Sequence, residues 1–133
     1  MLHKVICIDD DPIALLLSKM VIARANFATN VIALSNGEEA IAYLKNEQDK
    51  PHEMEDLLIL LDLNMPVMDG WEFLEQFDQN LYNYYKNTKI ILLSSSVDPN
   101  DIRKAKNFQM VLDFLPKPLT KEKLENIITK FSA

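Results

Sequence analysis

The 133 residues of this chain predict an open, doubly wound α/β domain, and three observations carry that expectation. Five short apolar runs recur along the chain, segments of helical period lie between them, and helix-entry residues stand just before those segments. The first run, Val5 to Ile8, is rich in Val and Ile without strict alternation, which suits a strand covered on both faces. Asp11-Pro12 then offers an N-cap followed by proline at the first helical position. Ile13, Leu16, Leu17 and Met20 follow at i, i+3, i+4 and i+7, predicting a helix that buries this stripe. The second strand is Val31 to Leu34, and Asn36 with Glu39 resembles a capping box for the next helix. Residues 46 to 56, "NEQDKPHEMED", are too polar for either element and read as a surface loop. Leu57 to Leu61 forms the third strand. Asp69 with Glu72 is a second capping box, opening a helix that runs into "NLYNYYKN", where Tyr82, Tyr84 and Tyr85 are expected to pack at the helix end. Ile90 to Leu93 is the fourth strand, with Asp98-Pro99 entering the fourth helix. Val111 to Leu115 is the fifth, and Leu124, Ile127, Ile128 and Phe131 mark the buried stripe of a fifth helix. Right-handed crossovers place helices on both faces of such a sheet.

The length fits one domain, able to bury a core without disulfides. Cys7 is the single cysteine, so no internal disulfide forms, which fits a reducing compartment and a cytoplasmic address. No apolar stretch has the length of a membrane span, and Asp9 arrives before a signal-peptide core could form. Residues 1 to 100 carry 7 basic and 16 acidic side chains, whereas residues 101 to 133 carry 7 and 4. That balance argues against nucleic-acid binding by the domain as a whole, since phosphate neutralisation needs a concentrated basic surface. Arg103, Lys104, Lys106, Lys121, Lys123 and Lys130 are expected to be solvated helix positions, leaving room for a basic partner face near the C-terminus. With Gly37 and Gly70 as the only glycines, no dinucleotide-binding loop, P-loop or Gly-x-Ser-x-Gly turn can be written. The two histidines, His3 and His52, lie 49 positions apart, make no zinc motif and receive no function.

Sites in doubly wound sheets form at the carboxyl ends of the strands, where the strand order reverses. After the first strand come Asp9, Asp10 and Asp11; after the third, Asp62; after the fourth, Ser94, Ser95 and Ser96; after the fifth, Lys117 within Pro116-Lys117-Pro118. Singly, each has an ordinary explanation: a helix cap for Asp11, turn formation for the serines, solvation for Lys117. Jointly they are harder to dismiss. If Asp9, Asp10 and Asp62 converge, each carboxylate pair at about 4 Å repels by about 4 kcal/mol at an effective dielectric of 20. Such a cluster must protonate, spread apart or hold a cation, and oxygen ligands without histidine or cysteine favour Mg²⁺ over zinc. Three carboxylates and one ammonium sum to a charge that a divalent ion balances.

The acidic pair after strand one, "LLDLNMPVMDG" at residues 60 to 70, a hydroxyl residue after strand four and "KP" after strand five, in this order, resemble the response-regulator receiver domain of two-component signalling. The resemblance covers the whole chain and implies a flavodoxin-like (βα)5 domain with strand order 2-1-3-4-5. It implies that Asp62 accepts a phosphoryl group from a phosphohistidine on a sensor histidine kinase or a histidine phosphotransfer protein. It also implies that Asp10 binds Mg²⁺, or Mn²⁺ in its place, that Asp9 assists directly or through water, and that the backbone carbonyl of Asn64 completes the ligands. By the same resemblance Lys117 contacts a phosphoryl oxygen, Ser94 hydrogen-bonds another, and the Lys117-Pro118 peptide is cis. Ser94 and Phe114 become the switch pair, Phe114 standing where tyrosine is commoner, and a downstream partner is expected on the fourth helix, fifth strand and fifth helix. The segment "KAKNFQMVLDF" departs from the family by lacking a glycine before strand five and by running one residue longer than the chemotaxis pattern.

The expected function is thus a phosphorylation-switched receiver, residues 1 to 133, without an output domain, catalysing only its own phosphorylation and dephosphorylation. Alternatives are a phosphorelay intermediate or a receiver belonging to a longer regulator. A Mg²⁺-dependent phosphohydrolase of the haloacid-dehalogenase type is a further alternative, since it also uses an aspartyl phosphate. Asp9-Asp10-Asp11 superficially matches its Asp-x-Asp nucleophile, but Pro12 follows at once and there is no cap segment.

Overall fold

The computed structural model of the chain describes residues 2–48, 56–65, 68–95 and 97–132. Five strands, β1 (Leu2–Ile8), β2 (Ala28–Leu34), β3 (Leu57–Asp62), β4 (Thr88–Ser94) and β5 (Val111–Pro116), form one parallel sheet in the order β2-β1-β3-β4-β5. The helices are α1 (Pro12–Arg24), α2 (Gly37–Gln48), α3 (Gly70–Gln76), α4 (Pro99–Ala105) and α5 (Lys121–Ser132). The flavodoxin-like order implied by the motifs is therefore the one observed. Every residue of the central strand β3 is buried, as expected for a parallel strand covered on both faces. Alternation sorts the side chains: Val5, Cys7, Leu58 and Leu60 join Ile22 of α1 and Leu124 and Ile127 of α5 on one face. Ile6, Ile8, Ile59 and Leu61 join Ile41 of α2, Phe73 of α3 and Ala105 of α4 on the other. Burial lifts the Cys7 thiol to a pKa of about 12, outweighing the nearby Lys19 charge, so it stays protonated and inert.

The helix entries follow their predicted chemistry. Asp11 accepts the Ile13 N–H, Asp98 accepts the Asn100 N–H, and Asn36 accepts the Glu39 N–H at 2.7 Å. Asp69 and Glu72 form a reciprocal capping box at α3. The strands begin up to three residues earlier than the apolar runs, in segments such as Ala28–Asn30 whose polar residues carry no hydrophobic signal.

Four expectations need correction or refinement. The stripe assigned to the interior of α1 faces outward: Ile13 is 67% exposed, Leu16 58%, Leu17 46% and Met20 40%. The helix is apolar on both sides, and the interleaved set with Ala14, Leu15, Ser18 and Ile22 turns inward, with Leu15, Val21 and Ile22 packed against the sheet. In α5, Leu124 and Ile127 are buried but Ile128 is not. Residues 46–48, read as loop, extend α2 to Gln48; residues 49–55 with His52, the motif residues Pro66 and Val67, and Ser96 lie outside the described residues, as do the side chains of His3 and Phe131. Finally, α3 continues as a π-helical turn, Phe77–Leu81, and a 3₁₀ turn, Tyr82–Tyr84. Tyr82 and Tyr85 pack on Phe77, and the Tyr85 hydroxyl donates to the Leu44 carbonyl at 2.6 Å. End packing thus explains both, while Tyr84 is exposed.

Strand β5 carries a bulge near its start. Ile90 pairs with Val111 but Ile91 pairs with Asp113, so Leu112 has no opposite number on β4.

Candidate functional site

The site is assembled by register. Ile8 of β1 pairs with Leu61 of β3, so Asp9 and Asp62 leave the sheet side by side, at the point where the chain order reverses. Beyond the bulge, Ser94 pairs with Pro116, and the Lys117 N–H donates to the Ser94 carbonyl at 2.8 Å. This extends the ladder by one step and carries Lys117 to the same edge. Its ammonium lies 2.7 Å from Asp9 Oδ2 and 3.4 Å from Asp62 Oδ1. Asp9 also accepts the Asp11 N–H at 2.9 Å, which ties the acidic turn to the cap of α1, and the Asn64 N–H approaches Asp62 Oδ1 at 3.4 Å.

Asp9, Asp10 and Asp62 each bring a carboxylate oxygen within 4.8 Å of the others. Asp9 and Asp62 are buried, and Asp10 is exposed at the rim. The donor set fits a hard divalent ion of the Mg²⁺ class: all oxygen, three negative charges against one ammonium, with an open side for water. Burial of Asp62, only 4% exposed, raises its pKa to about 6, and the charge of Asp9 pushes the same way; Lys117 and the Asn64 N–H hold it down. Burial opposes the charge of Lys117, but its hydrogen bond to Asp9 and the charges of Asp62 and Asp9 prevail, so its pKa ends above the ordinary lysine value. The pair is poised: a carboxylate that resists ionisation beside an ammonium that resists neutralisation.

Ser94 is buried at the end of β4. Phe114 is half-buried, packed against the core face shared by α2, α3 and α4. With Ile102, Ala105, Lys106, Val111, Leu112 and Asp113 it lines an open cavity of about 230 Å³ between α4 and β5. The basic residues of the C-terminal part are less idle than expected. Lys104 sits 4.5 Å above the Trp71 ring, Lys130 pairs with Asp113, and Lys123 bonds two backbone carbonyls. The Lys117–Pro118 peptide is cis, as the resemblance implies.

One residue whose role at the site is not evident from residue types alone is Gly70. Its N–H donates to the Leu63 carbonyl at 3.0 Å, and a Cβ there would stand 2.8 Å from Leu63 Cα and 2.9 Å from the Asp62 carbonyl oxygen. Glycine lets α3 rest directly on the backbone that presents Asp62. Gly70→Ala should therefore cost about 1–3 kcal/mol in a denaturation measurement and slow any chemistry at Asp62. Wild-type stability in the variant would show that the backbone yields without cost.

A buried carboxylate at a strand end, a second carboxylate and a lysine against it, and an oxygen-only cation site on a (βα)5 sheet define a phosphoaccepting, metal-coordinating receiver site. The chain belongs to the response regulator receiver domain family, whose model matches residues 5–129. It is 30% identical over 130 residues, 98% of this chain, to a probable C4-dicarboxylate response regulator of Halalkalibacterium halodurans, of which it covers 51%. It is 27% identical over 97% of its length to 13% of a sensor histidine kinase of Pseudomonas protegens. Among solved structures, a two-component response regulator from Cytophaga hutchinsonii superimposes with a TM-score of 0.88 at 32% identity, over 98% of this chain and 97% of that one. The chain spans about half the length of the C4-dicarboxylate regulators it matches. No helix among the described residues is long and apolar enough to cross a membrane.

Proposed function

We propose that the chain is a cytoplasmic phosphorylation switch in which Asp62 takes a phosphoryl group from a phosphohistidine. The observation that carries this reading is the contact of Lys117 with both Asp9 and Asp62 over a three-carboxylate cluster. An oxygen of Asp62 attacks phosphorus, the phosphorus–nitrogen bond breaks, and its electron pair stays on the imidazole nitrogen. A carboxylate is a weak nucleophile, so positioning and charge neutralisation supply most of the rate. Lys117 follows the charge from carboxylate to phosphoryl oxygen, and the Ser94 hydroxyl takes another phosphoryl oxygen. Asp9, Asp10, Asp62 and the Asn64 carbonyl would hold Mg²⁺, which when bound offsets the negative charge of the entering group.

The phosphodonor is assigned to a histidine kinase or a histidine phosphotransfer protein. The similarity to a segment of a sensor histidine kinase supports this class, and so does the outward apolar face of α1. Ile13 and Leu17 share a recess with Asp9, Asp11, Lys117 and Pro118, so a helix lying on α1 could bring a histidine to Asp62. The output partner is assigned to α4, β5 and α5. The cavity beside Phe114, the exposed Ile102 and the basic balance of residues 101 to 133 support that side. Movement of Ser94 toward the phosphoryl group would open room for Phe114 and alter this surface.

Acetyl phosphate, a small donor, separates chemistry from docking. The wild-type protein with Mg²⁺ should gain one phosphoryl group by intact mass, and Leu16→Ser/Leu17→Ser, which adds no charge, should gain it at the same rate. From a phosphohistidine protein the same variant should react at least about tenfold more slowly, the loss of one or two buried leucine contacts. Failure of wild type to label from either donor would reject the function; equal rates from the protein donor would reject the α1 docking face.

A further inference from the structure

Lys117 is one of the residues the proposed reaction depends on most, yet it lies beyond the last strand pair, in a loop between two prolines. Ser94–Pro116 is the final step of the β4–β5 register. Past it, the Lys117 N–H to Ser94 carbonyl bond holds the backbone to the sheet. The carbonyls on either side of Lys117 are taken by one side chain: Lys123 Nζ donates to the Pro116 oxygen at 2.6 Å and to the Pro118 oxygen at 2.8 Å. Lys123 is in the first turn of α5, where its own N–H donates to the Thr120 hydroxyl oxygen at 3.2 Å. Its neighbours Leu124 and Ile127 are fully buried against the sheet, so the stem of the clamp starts from a fixed helix. A cation bridging two carbonyls makes stronger bonds than a neutral donor would. The usual preference near a helix N-terminus is for acidic side chains, because the helix dipole is positive there. A lysine in this turn gains nothing from the dipole, so what distinguishes Lys123 is its pair of carbonyl bonds.

We propose that Lys123 is a positioning residue for phosphoryl transfer: it ties the carbonyls of Pro116 and Pro118 to α5 and so fixes the peptide from which Lys117 reaches Asp9 and Asp62. Lys123 touches neither the carboxylates nor the incoming group; it acts through Lys117. The inference rests on the assignment of Asp62 and Lys117 made above.

Labelling rates with acetyl phosphate and Mg²⁺ test it, using wild type, Lys123→Met, Lys123→Arg, Lys117→Ala and the Lys117→Ala/Lys123→Met pair. Methionine keeps the aliphatic stem and removes the donors; arginine keeps charge and donors. Lys123→Met should label about tenfold more slowly, the scale of loss when a reacting group drifts by a fraction of an ångström to an ångström. Lys123→Arg should recover most of that rate. In the Lys117→Ala background the Lys123→Met change should slow labelling no further, because there is no ammonium left to aim. Amide exchange in the metal-free protein supplies a readout independent of phosphorylation: the Lys117 N–H should lose protection in Lys123→Met while core amides of β3 keep theirs. Wild type that fails to label overturns the assignment of the site itself. Wild type that labels, with Lys123→Met labelling equally fast, overturns only the positioning role. An equal further loss in the Lys117→Ala background would make Lys123 a stabiliser of α5 and would also overturn it, as would unchanged protection of the Lys117 amide.

Discussion

Asp62→Asn protein free of divalent metal should be more stable than wild type at pH 7 and about equally stable near pH 4. The carboxyl of Asp62 titrates near 6 in the folded chain, against about 3.9 in an unfolded one. Below the unfolded value the group is protonated in both states, so it shifts nothing. Between about pH 4 and pH 6 the unfolded chain releases its proton first, and ionisation of the buried group then draws the equilibrium toward unfolding. Above about pH 6 the whole penalty is present, on the order of 3 kcal/mol for a shift of this size. Asparagine is never ionised and escapes it. The sign is opposite to that of a salt-bridged aspartate with a lowered pKa, because burial and Asp9 outweigh Lys117 here. Melting curves of both proteins across this pH range in EDTA check it; a difference that persists unchanged at pH 4, or is absent at pH 7, would contradict the origin given. The same variant should take up no phosphoryl group from acetyl phosphate.

Lys117→Ala should separate metal binding from phosphoryl transfer. Loss of the ammonium leaves Asp9 and Asp62 facing each other with no protein cation between them, so Mg²⁺ should bind more tightly. Labelling of Asp62 should nevertheless fall by about 10²–10³-fold, the usual cost of removing one preorganised donor from a developing oxyanion. Calorimetric Mg²⁺ titration beside labelling rates at saturating metal makes the comparison. If both quantities fell together, Lys117 would be supporting the metal site and not the phosphoryl group.

How much could be read in advance depended on where the information is stored. The sheet was legible because five buried strands are continuous apolar words, and the helix starts were legible because capping uses specific residues at fixed spacing. Asp9, Asp62 and Lys117 could be grouped because parallel topology sends the ends of β1, β3 and β5 to one edge whatever the side chains between them do. The inward face of α1 was not legible. Both of its stripes are apolar, and periodicity cannot choose between Ile13-Leu16-Leu17-Met20 and the set containing Ala14, Leu15, Ser18 and Ile22. Nor could composition reveal what Lys123 holds, since its partners are backbone carbonyls, which every residue has. Gly70 was visible as part of a helix entry, but its close approach to Leu63 and Asp62, which a Cβ would obstruct, exists only in three dimensions.

The bulge at Leu112 has a consequence for how such a domain can change over time. Side chains on a strand alternate, so one residue added within a strand would ordinarily turn every later residue to the opposite face. Here the surplus is discharged between Ile90 and Ile91, and the pairs that follow, Leu92 with Phe114, Leu93 with Leu115 and Ser94 with Pro116, run in step up to Lys117. The reading frame of the strand is restored before it reaches the chemistry. A residue surplus within β5 upstream of Asp113 is thereby absorbed without re-aiming Lys117.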